Sequence, residues 1–266
     1  MNFVGSLTAD GQSNNHIGDV INVHFSGKHG QQCVPERSLT VAGTRDSELL
    51  SSLYVTDPSN DLQSLKRKKG NRVEGTCEWI LTTPQLVKWI DIPDDSSVEP
   101  VSRILWLRGR PGQGKSTLAM YITEALTASF KDDSTKALSY FFCDASYATR
   151  TTANSILRGL LWHFYTSDPE LIPAYARQRY SQLRDKLLRD FDSLWTLFLE
   201  TVAANASRQF YCIIDALDEC GEESRVDILR QIEQTFGTGH GPTNLHFYFS
   251  VGLTLTSETI LANSKA

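Results

Sequence analysis

The chain contains, at residues 109–117, the stretch Gly109-Arg110-Pro111-Gly112-Gln113-Gly114-Lys115-Ser116-Thr117. Four residues separate its first glycine from a Gly-Lys-Ser, which is the spacing of a phosphate-binding loop. The apolar run 104–107 before it is typical of a buried strand, and apolar residues recur at helical spacing after it, at Leu118, Ala119, Tyr121, Ile122, Ala125 and Leu126. The sequence therefore predicts a strand, a glycine-rich loop and a helix N-terminus in that order.

This order suits the binding of a nucleoside triphosphate with Mg²⁺. Backbone N–H groups of a glycine loop and the dipole of the following helix favour anions. Lys115 can reach the β- and γ-phosphates, and the Ser116 hydroxyl can ligate Mg²⁺. The alternative is a glycine-rich turn that binds nothing, which the lysine, the serine and the flanking elements disfavour. We therefore assign nucleotide binding to Gly109, Pro111, Gly112, Gln113, Gly114, Lys115, Ser116 and Thr117.

An acidic cluster follows a second apolar run, 210–214, about a hundred residues later. We expect this run to be a strand next to the loop strand, ending in Asp215, which would support Mg²⁺ together with Ser116. Asp218 or Glu219 could orient and deprotonate an attacking water. Acidic residues at a helix N-terminus would also produce this pattern, because they stabilise the helix dipole. Together with the loop, the pattern favours catalytic roles for Lys115, Asp215, Asp218 and Glu219.

Composition excludes several classes of function. The 266 residues allow one large domain or one domain with an extension, and 40% apolar and 21% charged residues are ordinary for a globular protein. A net charge of -5 gives no general attraction to nucleic acid or anionic membrane. We find no membrane span and no secretory signal. The five cysteines are scattered, with Cys143 and Cys212 in strand-like runs, so we expect buried thiols and a cytoplasmic location.

The chain divides into four predicted regions. Residues 1–45 are of low complexity and contain a β-prone patch at 17–25, which is either disordered or able to stack between copies of the chain. Residues 46–100 form a helical lead-in, 101–250 an NTPase core, and 251–266 an atypical tail. In the lead-in, the basic run 66–69 is either a solvated face or a phosphate contact.

Helices and strands are expected to alternate. Trp79 and Trp89 are expected to pack the lead-in helices against the core, and His163 to be a core-edge residue. The predicted elements are helices at 47–54, 84–90, 152–167, 170–187 and 190–205, a helix with Ile228, Ile232 and Phe236, and strands at 104–107, 137–143, 210–214 and 245–249. This alternation predicts an α/β fold of the three-layer P-loop NTPase type, with a mostly parallel sheet, preceded by an irregular or disordered N-terminal segment.

The chain resembles the NACHT-domain STAND NTPases of fungal NOD-like receptors, the heterokaryon-incompatibility type. The resemblance runs from about Leu53 to Phe249. It is found in the segments 53–58, Gly75-Thr76-Cys77 with Trp79, the loop 109–117, Tyr140-Phe141-Phe142, Leu157-Arg158-Gly159-Leu160 and Ile213-Ile214-Asp215-Ala216-Leu217-Asp218-Glu219-Cys220.

The resemblance implies a signalling switch that rests with ADP, exchanges it for ATP and then self-associates to bring N-terminal effectors together. It implies that Thr117 contacts the α-phosphate and that the segment 75–79 lies near the adenine. It also implies an effector at the N-terminus, where the β-prone patch could template an amyloid-type assembly or engage a signalling partner.

One departure from the family pattern concerns hydrolysis. Val251 follows Ser250 where the family has an arginine that senses the γ-phosphate, and no arginine occurs after Arg230. The closing winged-helix region is also missing, so the chain is interpreted as a truncated receptor with weak or no hydrolysis. Two other functions stay open, namely a small-molecule kinase and a non-enzymatic adaptor that acts through residues 1–30.

Overall fold

The computed structural model describes residues 46–70, 72–73, 75–91, 103–237 and 241–252. The N-terminal patch at 17–25 and the tail beyond residue 252 lie outside these ranges, so the predictions for them stay predictions. No described helix combines the length and the apolar composition that a bilayer span requires.

The described residues form four strands in one parallel sheet. They are β1 (Ile104–Gly109), β2 (Lys136–Phe142), β3 (Gln209–Asp215) and β4 (Leu245–Gly252). Their spatial order is β1-β4-β3-β2. The expectation that the acidic strand lies next to the loop strand is therefore wrong, because β4 pairs with both and separates them. The predicted last strand also continues past Phe249, so its end reaches Gly252 opposite Gly109.

Helices cover both faces of the sheet. The described helices are α1 (46–53), α2 (Pro58–Lys69), α3 (Pro84–Ile90), α4 (Lys115–Phe130), α5 (Ala153–Ser167), α6 (Ala174–Leu183), α7 (Asp185–Arg189), α8 (Phe191–Ala204) and α9 (Glu222–Phe236). A 3-10 helix, Glu78–Thr82, precedes α3. The three-layer α/β fold predicted from the sequence is confirmed.

The strands divide their side chains between two cores. Phe210, Cys212 and Ile214 of β3 face a core built with α1, α5, α8 and α9. Tyr211 and Ile213 face the opposite core, built with α2, α3 and α4. Successive side chains of a strand point to opposite faces, so a strand buried on both sides reads as an uninterrupted apolar run. This explains why 210–214 shows no polar alternation.

Local sequence signals set most of the helix starts. The Thr152 hydroxyl accepts a hydrogen bond from the Ser155 N–H and begins α5, and the Asp190 carboxylate does the same for α8 through Ser193. The predicted helix at 170–187 is wrong in its bounds. A short 3-10 turn is followed by α6 and α7, which are separated at Arg184, where φ is 47°. Neither glycine nor proline marks that break in the sequence.

The two tryptophans of the lead-in differ. Trp89 is 1% exposed, and its indole N–H donates to the carbonyls of Arg103 (3.2 Å) and Phe247 (3.0 Å), so it fastens α3 to the sheet. Trp79 is 58% exposed, so the prediction that it packs into the core is wrong. A 3-10 turn has a three-residue repeat, and its buried position is taken by Ile80 instead.

The buried thiols and His163 lie where the sequence suggested. Cys143 and Cys212 are buried, and burial raises the pKa of both thiols. His163 lies at the core edge with its ring 4.5 Å from that of Tyr140. Burial lowers the pKa of His163 to about 4, so the imidazole is neutral at pH 7.

Candidate functional site

The glycine-rich loop connects β1 to α4 at the carboxyl edge of the sheet. β1 ends at Gly109 and α4 begins at Lys115, with Gly114 as its N-cap. Gly112 and Gly114 have φ values of 81° and 77°, a region that side chains with a Cβ rarely adopt. An added Cβ would meet nothing within 4 Å at either position, so glycine is required there by backbone conformation and not by space. Glycines with positive φ in such a turn allow successive backbone N–H groups to line a concave surface that is suited to anions.

The loop is held by its own side chains. The Gln113 side-chain oxygen accepts from the Arg110 N–H at 2.6 Å. The Lys115 ammonium donates to the carbonyls of Gly109 (2.8 Å) and Arg110 (3.2 Å), and therefore lies over the loop. Residues 111–114 are exposed, whereas Ser116 and Thr117 are half-buried in the first turn of α4. The exposed backbone of residues 111–114 is therefore open to an anion, with the Lys115 ammonium beside it.

Asp215, the last residue of β3, is 2% exposed. Ser250 of β4 donates a hydrogen bond to its Oδ1. Burial raises the pKa of Asp215, and the hydroxyls of Ser250 and Ser116 act in the opposite direction. The Ser116 hydroxyl, in the first turn of α4, therefore acts on the end of the acidic strand, although β1 and β3 are not neighbours.

Ser250 is a residue of this site that sequence reasoning missed. It lies on β4, between the loop strand and the acidic strand, and it is fully buried. Its hydroxyl donates to Asp215 and accepts from the Ala216 N–H at 2.9 Å. Ala216 has a φ of 55°, and this left-handed residue turns the chain out of β3. A single hydroxyl in an apolar strand gives no spacing signal that could have identified it.

The other two acids lie on the short 3-10 turn Leu217–Glu219 that follows Ala216. Glu219 is exposed, and its carboxylate accepts from the Ala145 N–H at 2.9 Å, beyond the end of β2. Asp218 is half-buried, and its Oδ1 is buried without a hydrogen-bond partner among the described residues. The structure therefore places both acids at the edge that contains Asp215, with Asp218 having the less satisfied carboxylate.

The donor set at this edge fits Mg²⁺ held together with a polyphosphate. Ser116 and Asp215 offer a hydroxyl and a carboxylate, the hard oxygen ligands that Mg²⁺ takes, and Mg²⁺ completes its octahedron with phosphate oxygens and water. No group of three or more His, Cys, Asp or Glu side chains in the described ranges could hold a metal by itself. The chemistry of the site therefore suits Mg²⁺ that is bound together with a polyphosphate.

Comparisons with known proteins agree with this geometry. The family model described as "Nephrocystin 3, N-terminal" matches residues 75–250. The vegetative incompatibility protein HET-E-1 of Podospora anserina is 32% identical over 180 residues, which cover 66% of this chain and 12% of that protein. The chain thus spans about an eighth of the length of this relative.

Two solved structures match part of this chain. Cdc6p from Pyrobaculum aerophilum matches at a TM-score of 0.38 and 17% identity, over 60% of this chain and 34% of its own. PCH-2 from C. elegans matches at a TM-score of 0.32 and 14% identity, over 68% of this chain and 37% of its own. The fold of the present chain is therefore described by its own strand order and loop geometry, and not by either match.

Proposed function

Because the chain belongs to the nephrocystin 3 N-terminal family of NACHT-type NTPase-like domains, we propose that it binds ATP or ADP with Mg²⁺ and acts as a signalling switch. The nucleotide phosphates would lie against the glycine loop, with Lys115 released from the loop carbonyls to reach the β- and γ-phosphates. The positive end of α4 adds to this attraction.

The observation that supports the proposal most is the buried carboxylate of Asp215, at the carboxyl edge of the sheet where the glycine loop also lies. A buried carboxylate is costly unless a cation or hydrogen bonds compensate it; Asp215 accepts a hydrogen bond from the Ser250 hydroxyl and forms no ion pair with a described residue. Burial raises the pKa of Asp215 and the Ser116 hydroxyl opposes that rise, so these two residues would hold Mg²⁺, and the cation would supply the compensating charge.

Hydrolysis is a second part of the proposal. Asp218 or Glu219 would orient and deprotonate the attacking water, while Lys115 and the metal would stabilise the charge on the transferred phosphoryl group. We propose that turnover is slow, because position 251, directly after Ser250, is valine and supplies no guanidinium to the γ-phosphate.

The cellular role is proposed from the relative. HET-E-1 is by name a vegetative incompatibility protein, and we extend that class of role to this chain as a cytoplasmic switch in heterokaryon incompatibility or related fungal immunity. Self-association, or a signalling partner engaged through residues 1–45, would transmit the nucleotide state.

The test is a fluorescence titration with mant-ATP and Mg²⁺. Lys115→Ala removes the cation that would bind the phosphates, so its dissociation constant should rise about tenfold or more. Lys131→Ala, at the far end of the same helix, removes an equal charge away from the site and should bind as the wild type does. Equal affinity of Lys115→Ala and wild type would refute the proposed function.

A further inference from the structure

The last turn of α2 lies at the carboxyl edge of the sheet. The Lys68 ammonium is 3.4 Å from Asp144, two residues beyond the end of β2. The N–H of the intervening Cys143 donates to the Asp215 carbonyl at 3.0 Å. A helix of the lead-in therefore ends beside the strand end that contains the candidate metal-supporting carboxylate.

The four basic residues of this turn have different surroundings. Lys66 pairs with Glu124 of α4, and Lys68 pairs with Asp144. Arg67 and Lys69 are exposed and form no ion pair within the part of the chain that the structure describes. The basic run is therefore not a uniform solvated face, since two of its members are fixed to the core and two are free to bind an anion.

Helix geometry separates the two unpaired residues. Lys69 follows Lys66 by three positions and so shares its face, which is directed at the loop helix α4. Arg67 precedes Lys69 by two positions, so the two side chains are about 200° apart around the helix axis. Lys69 thus lies on the face of α2 directed at α4, and Arg67 lies on the opposite face.

The two lysines differ in what their ammonium groups contact. Lys115 donates to the carbonyls of its own loop. Lys69 is exposed and has no ion-pair partner among the described residues, so it is available to an anion at this edge of the sheet.

We propose that Lys69 binds the terminal phosphate of a nucleoside triphosphate held between the glycine loop and Asp215. The inference rests on the proposed function, which it deepens by assigning a residue outside the sheet to phosphate binding. Lys115 approaches the phosphates from the loop, and Lys69 approaches from the side of Asp215, where the end of a triphosphate would project. We expect a diphosphate to be too short for this contact.

Two consequences follow for the switch. Lys69 supplies a cation to the third phosphate in a chain that has valine at position 251. It also connects that phosphate to α2, so the lead-in helix would respond to the difference between triphosphate and diphosphate. Discrimination between the two nucleotides would then be located in the lead-in as well as in the core.

The test compares a non-hydrolysable ATP analogue and ADP, both with Mg²⁺, by isothermal titration calorimetry on the full chain. Lys69→Ala should weaken binding of the analogue about five- to tenfold and change ADP affinity less than about twofold. Lys69→Arg, which keeps the charge, should retain most of the analogue's affinity. Arg67→Ala is the matched control, because it removes one charge from the same helix turn on the opposite face, and it should leave both affinities unchanged.

The outcomes separate this inference from the proposed function. If wild type binds the analogue and Lys115→Ala does not, while Lys69→Ala binds it as wild type does, the role of Lys69 is refuted and the nucleotide site stands. Equal weakening by Lys69→Ala and Arg67→Ala would also refute it, because a general loss of positive charge would then explain the effect. If wild type binds neither nucleotide, both proposals fail together.

Discussion

Two aspartates of this molecule are buried to nearly the same extent but are compensated differently. Asp61, on α2 of the lead-in, is 3% exposed, and Asp215, at the end of β3, is 2% exposed. The Arg150 guanidinium donates to Asp61, and the Thr56 hydroxyl donates to the same carboxylate at 2.8 Å. Asp215 accepts a hydrogen bond from the Ser250 hydroxyl and forms no ion pair with a guanidinium or ammonium of the described residues.

The difference indicates which carboxylate is structural and which is available for function. Burial raises the pKa of both groups, and in both cases the hydrogen-bond donors oppose the rise. At Asp61 the fold also supplies a cation, so the charge is neutralised within the chain. At Asp215 the compensation by hydroxyls is partial, and a metal ion would complete it.

Breaking the Asp61 pair should have the largest effect on stability. Arg150→Ala leaves a buried carboxylate without its cation, and we expect the free energy of unfolding to fall by about 2–4 kcal/mol. Urea denaturation followed by far-UV circular dichroism measures this change. Arg179→Ala is the control, because its pair with Glu200 is about one-third exposed on both sides and is worth about 0–1 kcal/mol. A loss for Arg150→Ala no greater than that control would contradict a structural role for the pair.

Removing the Ser250 hydroxyl should lower the free energy of unfolding less than breaking the Asp61 pair does, and it should also affect the candidate site. Ser250→Ala leaves the Ala216 N–H without its acceptor and removes one donor from Asp215, so the cost in unfolding free energy should be about 1–2 kcal/mol. We also expect weaker binding of nucleotide with Mg²⁺, measured by mant-ATP fluorescence.

A matched serine separates these two effects. Ser139 is fully buried on β2, and its hydroxyl donates to the Leu160 carbonyl at 3.1 Å, away from Asp215. Ser139→Ala should cost stability similarly and leave nucleotide affinity unchanged. If both variants weaken nucleotide binding equally, Ser250 acts on the site only through global stability.

The fold was largely predictable because its signals are local. The glycine-loop spacing requires a strand before it and a helix after it, and apolar runs identify the other strands. Strand order was not predictable in the same way. β4 lies between β1 and β3 because of tertiary packing, and the sequence of residues 245–252 contains no signal for which strands pair with β4. The break at Arg184 was missed for a similar reason, since an arginine with positive φ has no sequence signature.

The candidate site was predictable where residue type and spacing coincide. The loop residues and Asp215 follow from motif spacing, and their binding roles stay predictions. Ser250 and Lys69 could not be assigned from spacing. Ser250 joins the site across a strand pairing, and Lys69, which we propose for phosphate binding, lies on a helix 146 residues before Asp215 (215 − 69), so both depend on how distant segments pack. The binding roles themselves stay predictions until nucleotide affinity is measured.

The most direct test of the account is the Mg²⁺ dependence of ATP binding in wild type and in Asp215→Asn, measured by isothermal titration calorimetry. Asparagine has nearly the same shape but no charge, so it keeps the packing and removes the proposed metal support. The account predicts that wild type binds ATP about tenfold more tightly with Mg²⁺ than with EDTA, and that Asp215→Asn binds equally in both. An unchanged Mg²⁺ dependence in Asp215→Asn would contradict the assignment of Asp215 to the metal.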